Sequence, residues 1–206
     1  MYPPSQRIEI IGGIASGKTT LARLLENLGI CVVYEHFTAN PFYKAFYQDP
    51  IGNAFEAEST FLLQHFHQVK MAEKVDDRWL VCDFSFVLDL SYADVTLSGS
   101  QLHAFSHIHD EVTTALHSPR TLIELRCSPE EQLRRIRERG RQEESNINLE
   151  YLDKLSSSIH RHVAHVAVSA GLTSVLSINS ETLNFAYNPT TRQELAAAFL
   201  NFLKQR

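Results

Sequence analysis

A short glycine-rich stretch most constrains how this chain folds. It reads Gly12-Gly13-Ile14-Ala15-Ser16-Gly17-Lys18-Thr19 and fits the pattern G-x-x-x-x-G-K-[ST] at every fixed position. Isoleucines precede it and leucines recur at helical spacing behind it, so the stretch joins a predicted strand to a predicted helix. Such a loop aims backbone N–H groups at phosphate oxygens, at the positive end of the helix dipole. The alternative is a glycine turn that merely precedes a helix.

The side chains of this phosphate-binding loop indicate a nucleotide with its metal ion. The Lys18 ammonium group adds a mobile positive charge, and the Thr19 hydroxyl is a ligand for Mg²⁺. The expected nucleotide contacts are Gly12, Gly13, Ile14, Ala15, Ser16, Gly17, Lys18, Thr19 and Thr20.

Length and composition indicate one globular domain over residues 1–206. A chain of 206 residues buries a sizeable core. The net charge of -5 argues against a nucleic-acid partner bound through bulk positive charge. The three cysteines are unclustered, which predicts reduced thiols in a cytoplasmic setting. The opening residues contain no apolar leader segment, and no apolar run approaches the ~18 residues that span a bilayer, so we expect neither secretion nor a membrane partner.

Two carboxylates come directly after apolar runs that are typical of strands. Glu35 follows residues 30–34, and Asp83 follows residues 79–82. In an open α/β sheet, ligands bind beyond the carboxyl ends of the strands, where the phosphate-binding loop also lies. Glu35 is therefore a candidate general base, and Asp83 is a candidate Mg²⁺ ligand beside Thr19. The alternative for Glu35 is a solvated loop carboxylate, and the alternative for Asp83 is an aspartate that merely ends an apolar strand.

A helical apolar stripe from Ala54 onward carries two polar residues on one side. Glu58 and His65 are seven residues apart, which lets both side chains point at one ligand. The competing interpretation is that both are solvated. The ten histidines lack an H-E-x-x-H pattern or a cysteine pairing, so we do not expect a transition metal held by protein ligands.

Five arginines lie within the eight residues from Arg134 to Arg141. Ser128 and Pro129 predict the start of the helix that leads into them. Guanidinium groups match the oxygens of a phosphoryl group in transfer, so the patch predicts a catalytic lid over about residues 134–146. The alternative is a solvated helix face paired with nearby glutamates.

The order of the patterns predicts the fold class. Five apolar strand-like runs alternate with helical segments, and the glycine loop follows the first run. We therefore expect an α/β fold with a five-stranded parallel sheet flanked by helices, of the phosphate-loop (P-loop) kinase kind.

The motifs along most of the chain resemble, in the same order, those of the deoxynucleoside kinase family. Besides the glycine loop and Glu35, the matching segments are Asn40-Pro41-Phe42-Tyr43, Phe46-Tyr47-Gln48-Asp49-Pro50, Ala54-Phe55 with Phe61-Leu62, Asp83-Phe84-Ser85, residues 135–144, and Leu149-Glu150-Tyr151-Leu152.

The resemblance implies a role for each matching residue, with ATP and Mg²⁺ as cofactors and a homodimer as the assembly. Glu35 would take the proton from a nucleoside 5′-hydroxyl, and Asp83 with Thr19 would hold the metal. The lid residues on the phosphates would be Arg135, Arg139 and Arg141. Tyr47 and Glu150 would hold the sugar 3′-hydroxyl, and Asp89 would lie near the base.

Three positions depart from the family's pattern. Glu58 stands in place of the glutamine that bonds the base edge, His65 in place of an arginine beside the base, and Phe84 in place of the arginine in [DE]-R-S. That last arginine lies next to the general base and the phosphates, so its loss weakens catalysis or demands a substitute cation. An ionised Glu58 only accepts hydrogen bonds, so with Asp89 and His65 it predicts a preference for donor-rich bases, guanine first, and against thymidine.

These observations predict ATP- and Mg²⁺-dependent phosphoryl transfer to the 5′-hydroxyl of a deoxynucleoside, nucleoside or nucleoside-like small molecule. Two alternatives stay open. One is a kinase of another small alcohol or nucleotide. The other is a nucleotide-binding regulatory protein with little turnover, which Phe84 supports.

Overall fold

A parallel β-sheet sets where every other element lies. The computed structural model describes residues 6–73, 79–116, 118–169 and 174–204, and the predicted domain limits at 1 and 206 lie outside these ranges. Within them, the sheet has five strands: β1 (Gln6–Ile11), β2 (Cys31–Val33), β3 (Trp79–Cys82), β4 (Thr121–Arg126) and β5 (Ser174–Asn179). All neighbouring strands are parallel, in the order β2-β3-β1-β4-β5. The predicted five-stranded parallel sheet is confirmed.

Helices cover both faces of this sheet. In the described ranges they are α1 (Lys18–Glu26), α2 (Tyr43–Gln48), α3 (Pro50–Ala72), α4 (Phe86–Thr96), α5 (Gly99–Leu116), α6 (Pro129–Arg139), α7 (Leu149–Ser169) and α8 (Pro189–Lys204). Two short 3₁₀ helices, Phe37–Ala39 and Gln142–Asn146, follow β2 and α6. Each helix that the structure describes is too short or too polar to cross a membrane.

The central strands are apolar along their length because side chains on both faces are buried. In β3, Val81 packs with α1 and α8, whereas Leu80 and Cys82 pack with α3, α4 and α5. Successive side chains of a strand point to opposite faces, so these two clusters lie on the two sides of the sheet. A third cluster joins α7 to α4 and α6.

The helix that carries the arginine patch begins where the sequence predicts. Ser128 Oγ accepts a hydrogen bond from the Glu131 N–H at 3.3 Å, and Pro129 occupies the first turn. The helix ends at Gly140, whose φ of 67° lies in the left-handed region that glycine adopts freely. These two caps set the bounds of α6.

A buried ion pair on β1 holds the turn that follows β3. Arg7 Nε donates to Glu9 Oε1 at 2.8 Å, and both side chains are almost fully buried. The other carboxylate oxygen of Glu9 accepts from Ser85 Oγ at 2.9 Å and from the Phe86 N–H at 3.2 Å. The start of α4, directly after Asp83, is therefore fixed against β1. Sequence reasoning did not single out Glu9.

Removing the Glu9 carboxylate should destabilise the fold, because the buried Arg7 guanidinium then loses its nearest counter-charge. We expect Glu9→Ala to lower the free energy of unfolding by about 3–5 kcal/mol, measured by urea denaturation. The control is Glu73→Ala, which removes another carboxylate partner of Arg7. The Glu73 side chain is 27% exposed, so its loss should lower the free energy of unfolding by less. Equal losses in the two variants would contradict this role of Glu9.

Candidate active site

A cavity of about 850 Å³ opens beside the carboxyl ends of β1, β2 and β3. Residues that follow these strands line it, among them Ser16, Glu35 and Asp83. Other lining residues come from α2, α3, α4, the arginine-rich lid and the segment after β5. The cavity therefore joins the phosphate-binding loop to most of the polar side chains that the sequence singled out.

The phosphate-binding loop lines one end of this cavity with residues 14–20. Gly17 directly precedes α1 and has a φ of 104°, which glycine adopts without strain. Gly12 and Gly13 lie outside the lining, and their carbonyl oxygens accept from Lys18 Nζ at 2.8 and 3.1 Å. A Cβ at Gly12 would stand 2.8 Å from the Leu125 carbonyl oxygen, so the close approach there requires glycine.

Asp83 connects the loop to the segment after β2. Its Oδ2 accepts from Thr19 Oγ1 at 2.9 Å, and its Oδ1 accepts from the Glu35 N–H at 2.5 Å. Burial raises the pKa of Asp83, and these two donors oppose that effect. The described residues contain no cluster of three or more His, Cys, Asp or Glu side chains that could hold a metal ion. Mg²⁺ binds through one or two protein oxygens together with phosphates and water, so Thr19 and Asp83 fit this ion.

His65 forms the centre of a buried polar cluster on the far side of Glu35. Its ring stacks on Phe84, with centroids 4.0 Å apart and planes 7° from parallel. Its Nδ1 lies 2.9 Å from Asp89 Oδ2, and its Nε2 lies 3.5 Å from Glu35 Oε1. Burial alone would lower the pKa of His65, but the carboxylates of Asp89 and Glu35 raise it to about 10. His65 is therefore an imidazolium at neutral pH, directly beside Glu35.

The charge of Glu35 follows from these neighbours. Burial alone would raise the pKa of the Glu35 carboxyl, but His65 and then Lys18 lower it below its ordinary value. Glu35 is therefore an ionised carboxylate at neutral pH. The Glu35 main-chain N–H donates to Asp83. This hydrogen bond fixes the backbone from which the Glu35 side chain extends, between the phosphate-binding loop and His65.

Glu58 lies in the same cavity but has a different charge. It is 6% exposed and accepts a hydrogen bond from Thr96 Oγ1 at 3.3 Å. Burial and the neighbouring Asp89 raise its pKa to about 8. At neutral pH Glu58 is therefore largely protonated, whereas the sequence-based expectation of a guanine preference assumed an ionised side chain. The sequence pattern carries no information on this burial.

The arginines of the patch differ in their surroundings. Arg134 and Arg137 are exposed, and Arg134 pairs with Glu131 and Glu138, as expected for a solvated face. The patch residues that line the cavity with Arg134 are Arg135, Arg139 and Arg141.

Glu144 binds two of the cavity-lining arginines. This side chain is 2% exposed and forms ion pairs with Arg139 and, at 3.2 Å, with Arg141. Its Oε1 lies 3.5 Å from the Tyr43 hydroxyl, and the ring of Tyr43 packs edge-on against Tyr47 at a centroid distance of 5.2 Å. Glu144 therefore lies on Tyr43, which packs in turn against Tyr47.

Glu150, by contrast, is outside the cavity lining. Its side chain is 74% exposed and pairs with Lys154 at 2.6 Å, one helical turn along α7. The structure thus does not bring Glu150 to Tyr47, whereas it buries Glu144 against Tyr43, the ring neighbour of Tyr47. The signal for Glu144 was present in the sequence, because it closes the arginine-rich motif itself.

Comparison with known proteins identifies the family. A family model described as deoxynucleoside kinase matches residues 8–204. The chain belongs to the deoxynucleoside kinase family. It is accordingly a phosphotransferase of the class that acts on nucleosides. This confirms the resemblance that the sequence motifs carry.

Individual relatives and solved structures agree with this family. A deoxyguanosine kinase of Bacillus subtilis is 29% identical over 197 residues, covering 92% of this chain and 94% of its own. A deoxyadenosine kinase of Dictyostelium discoideum is 28% identical over 166 residues, covering 78% of this chain and 67% of its own. The solved deoxyadenosine kinase of M. mycoides with bound dATP has a TM-score of 0.78 at 23% identity, covering 95% of this chain and 99% of its own. The last similarity establishes the P-loop kinase fold.

Replacing His65 with glutamine tests whether the two carboxylates hold an imidazolium. The folded-state pKa of about 10 exceeds the ordinary value of 6.5. The stability that this proton contributes is therefore fully present below about pH 6.5 and is lost as pH rises through about 10. We expect the difference in unfolding free energy between the parent and His65→Gln to shrink between about pH 7 and about pH 10, measured by urea denaturation.

The matched control is His67→Gln, an exposed histidine on the same helix. Its difference from the parent should not change over this pH range. A His65→Gln difference that is equally constant would show that His65 gains no proton from its surroundings.

Proposed function

We propose that this protein transfers the γ-phosphoryl group of ATP to the 5′-hydroxyl of a deoxynucleoside in a Mg²⁺-dependent reaction. The observation that carries the proposal is that one cavity joins the phosphate-binding loop to a carboxylate, Glu35, that lies beside a buried cation. A phosphate-bearing donor at the loop and a hydroxyl-bearing acceptor near Glu35 would share this space.

The donor end of the cavity is built for a nucleotide triphosphate. The backbone of residues 12–20 and the amino end of α1 offer N–H groups and a positive dipole to phosphate oxygens. Lys18, whose Nζ donates to two loop carbonyl oxygens, adds a positive charge. Thr19 and Asp83 are the proposed ligands of Mg²⁺, which when bound neutralises charge on the phosphates during transfer.

Glu35 is the proposed general base. The acceptor 5′-oxygen attacks the γ-phosphorus, its proton passes to the Glu35 carboxylate, and ADP leaves. His65 is the proposed positioning residue, because its Nε2 faces Glu35 while Asp89 holds its Nδ1. This imidazolium supplies the cation that Phe84 cannot, and Phe84 supports it by stacking.

The lid completes the phosphate site in this proposal. The arginines proposed to contact the phosphates are Arg135, Arg139 and Arg141. Glu144 orients two of them, and with Tyr47 it is the proposed partner of the sugar 3′-hydroxyl, in place of Glu150. A carboxylate bonded to two guanidinium groups has further lone pairs that can accept from a hydroxyl.

The acceptor end suits a planar base. Its apolar lining includes Phe61, Phe84, Leu88 and Tyr92. Relatives at 28% and 29% identity are named deoxyadenosine and deoxyguanosine kinases, which supports purine deoxynucleosides as the acceptors. A regulatory protein with little turnover is less well supported, because its main argument was the missing cation that His65 provides.

The assembly and the cellular setting remain predictions. The homodimer rests on the resemblance to the family. The cytoplasmic setting rests on the unclustered cysteines of the sequence, of which Cys82 and Cys127 are free thiols.

Glu35→Gln tests the chemistry directly. The amide keeps the shape of the side chain but cannot take a proton, so kcat should fall by at least ~100-fold while the dissociation constant for ATP changes little. Phosphate transfer to deoxyadenosine and deoxyguanosine is the assay. The control is Glu56→Gln on the exposed face of α3, which should behave as the parent. An unchanged kcat in Glu35→Gln would place the base elsewhere.

A further inference from the structure

Glu58 is a buried carboxyl group that forms no ion pair with the residues the structure describes. Three acidic side chains, Glu35, Glu58 and Asp89, surround one imidazolium, and His65 directs its nitrogens to Asp89 and Glu35. Among the described residues, the neutral hydroxyl of Thr96 lies 3.3 Å from Glu58 Oε1, and its one proton is shared with the Tyr92 carbonyl oxygen at 2.9 Å. Glu58 lines the cavity, and its carboxyl group therefore has donor and acceptor positions available to a ligand.

The groups around Glu58 cannot neutralise a second negative charge. The titratable groups that face it are Tyr47 on α2, His65 on α3, Asp89 and Tyr92 on α4, Tyr151 on α7, and Glu35 after β2. Burial raises the pKa of each of the three tyrosines, so they stay neutral. Ionising Glu58 would place an uncompensated charge beside Asp89, which burial and like-charge repulsion both oppose.

The protonation state of Glu58 decides what it can recognise. A neutral carboxylic acid has one O–H donor and one carbonyl acceptor on adjacent atoms, the same pair that a glutamine amide offers. A carboxylate has two acceptors and no donor. The first matches a base edge with one donor and one acceptor, and the second matches an edge with two neighbouring N–H donors.

We propose that Glu58 recognises the base edge of the acceptor in two protonation states, as a neutral acid for bases of mixed donor and acceptor edge and as a carboxylate for guanine alone. This inference rests on the proposed function, since it requires a nucleoside base in the aromatic end of the cavity. Adenine presents the N1 acceptor beside the N6 amino donor, so it needs the protonated acid. Guanine presents O6, N1–H and the N2 amino group in a row, so it pairs with either form.

The consequence is a base selectivity that depends on pH. Burial and Asp89 raise the pKa of Glu58 to about 8. Above that pH, deoxyadenosine binding must first return a proton to Glu58, so its affinity falls by up to about tenfold per pH unit. Deoxyguanosine has no such requirement. The preference for deoxyguanosine over deoxyadenosine therefore rises with pH.

The test is a pH series of binding constants on the full chain. Dissociation constants for deoxyguanosine and deoxyadenosine are measured by calorimetry between about pH 6.5 and about pH 8.5, and their ratio is compared. Titration of His65 or Glu35 acts on both nucleosides and cancels in this ratio. In the parent, the dissociation constant for deoxyadenosine divided by that for deoxyguanosine should rise by about threefold or more over this pH range.

Two glutamine variants complete the design. Glu58→Gln cannot titrate, so its ratio should be independent of pH. Glu56→Gln makes the same substitution on the exposed face of α3 and should keep the parent's pH dependence. A parent ratio that is flat, a shift that persists in Glu58→Gln, or a protein that binds neither nucleoside would overturn the inference.

A separate assay of phosphate transfer keeps the two proposals apart. Nucleosides that bind with the expected pH dependence but are never phosphorylated would support the role of Glu58 and contradict the proposed reaction. Phosphorylation together with a ratio of dissociation constants that does not change with pH would support the proposed reaction and contradict the role of Glu58.

Discussion

The chemistry of the cavity depends on one buried positive charge, the imidazolium of His65. Asp89 holds one ring nitrogen, Phe84 supports the ring face, and the other nitrogen faces Glu35. The two nitrogens of this imidazolium face two of the three neighbouring carboxyl groups. These two are Glu35 and Asp89, so Glu35 stays ionised, as the proposed role of general base requires, whereas Glu58 retains its proton. The departures from the family's pattern are thus coupled, because Phe84 is the surface on which the substitute cation rests.

Much of the fold and part of the site could be predicted from the sequence. Buried parallel strands leave apolar runs, and ligands gather beyond their carboxyl ends, so Glu35 and Asp83 could be located from their places in the sequence alone. The tight backbone at Gly12 and the cap at Ser128 leave equally local signals. These features depend on residues close together in the chain.

The rest depends on packing between distant elements, which a single sequence does not reveal. Glu58 was expected to be ionised, because its burial beside Asp89 arises only when α3 packs on α4. Glu150 was expected at the sugar, but the fold turns it outward and brings Glu144 beside Tyr43 instead. The support that Glu9 gives to the turn after Asp83 crosses from β1 to α4 and has no local pattern.

The central claim is that ATP and a deoxynucleoside meet in this cavity and exchange a phosphoryl group. The most direct measurement incubates the purified protein with γ-labelled ATP, Mg²⁺ and each of deoxyguanosine, deoxyadenosine, deoxycytidine and thymidine in turn, and identifies the labelled products by chromatography. The account predicts a labelled 5′-monophosphate from at least one of the two purine deoxynucleosides, formed only when Mg²⁺ is present. If none of the four nucleosides acquires label while ATP binds normally, the account is wrong.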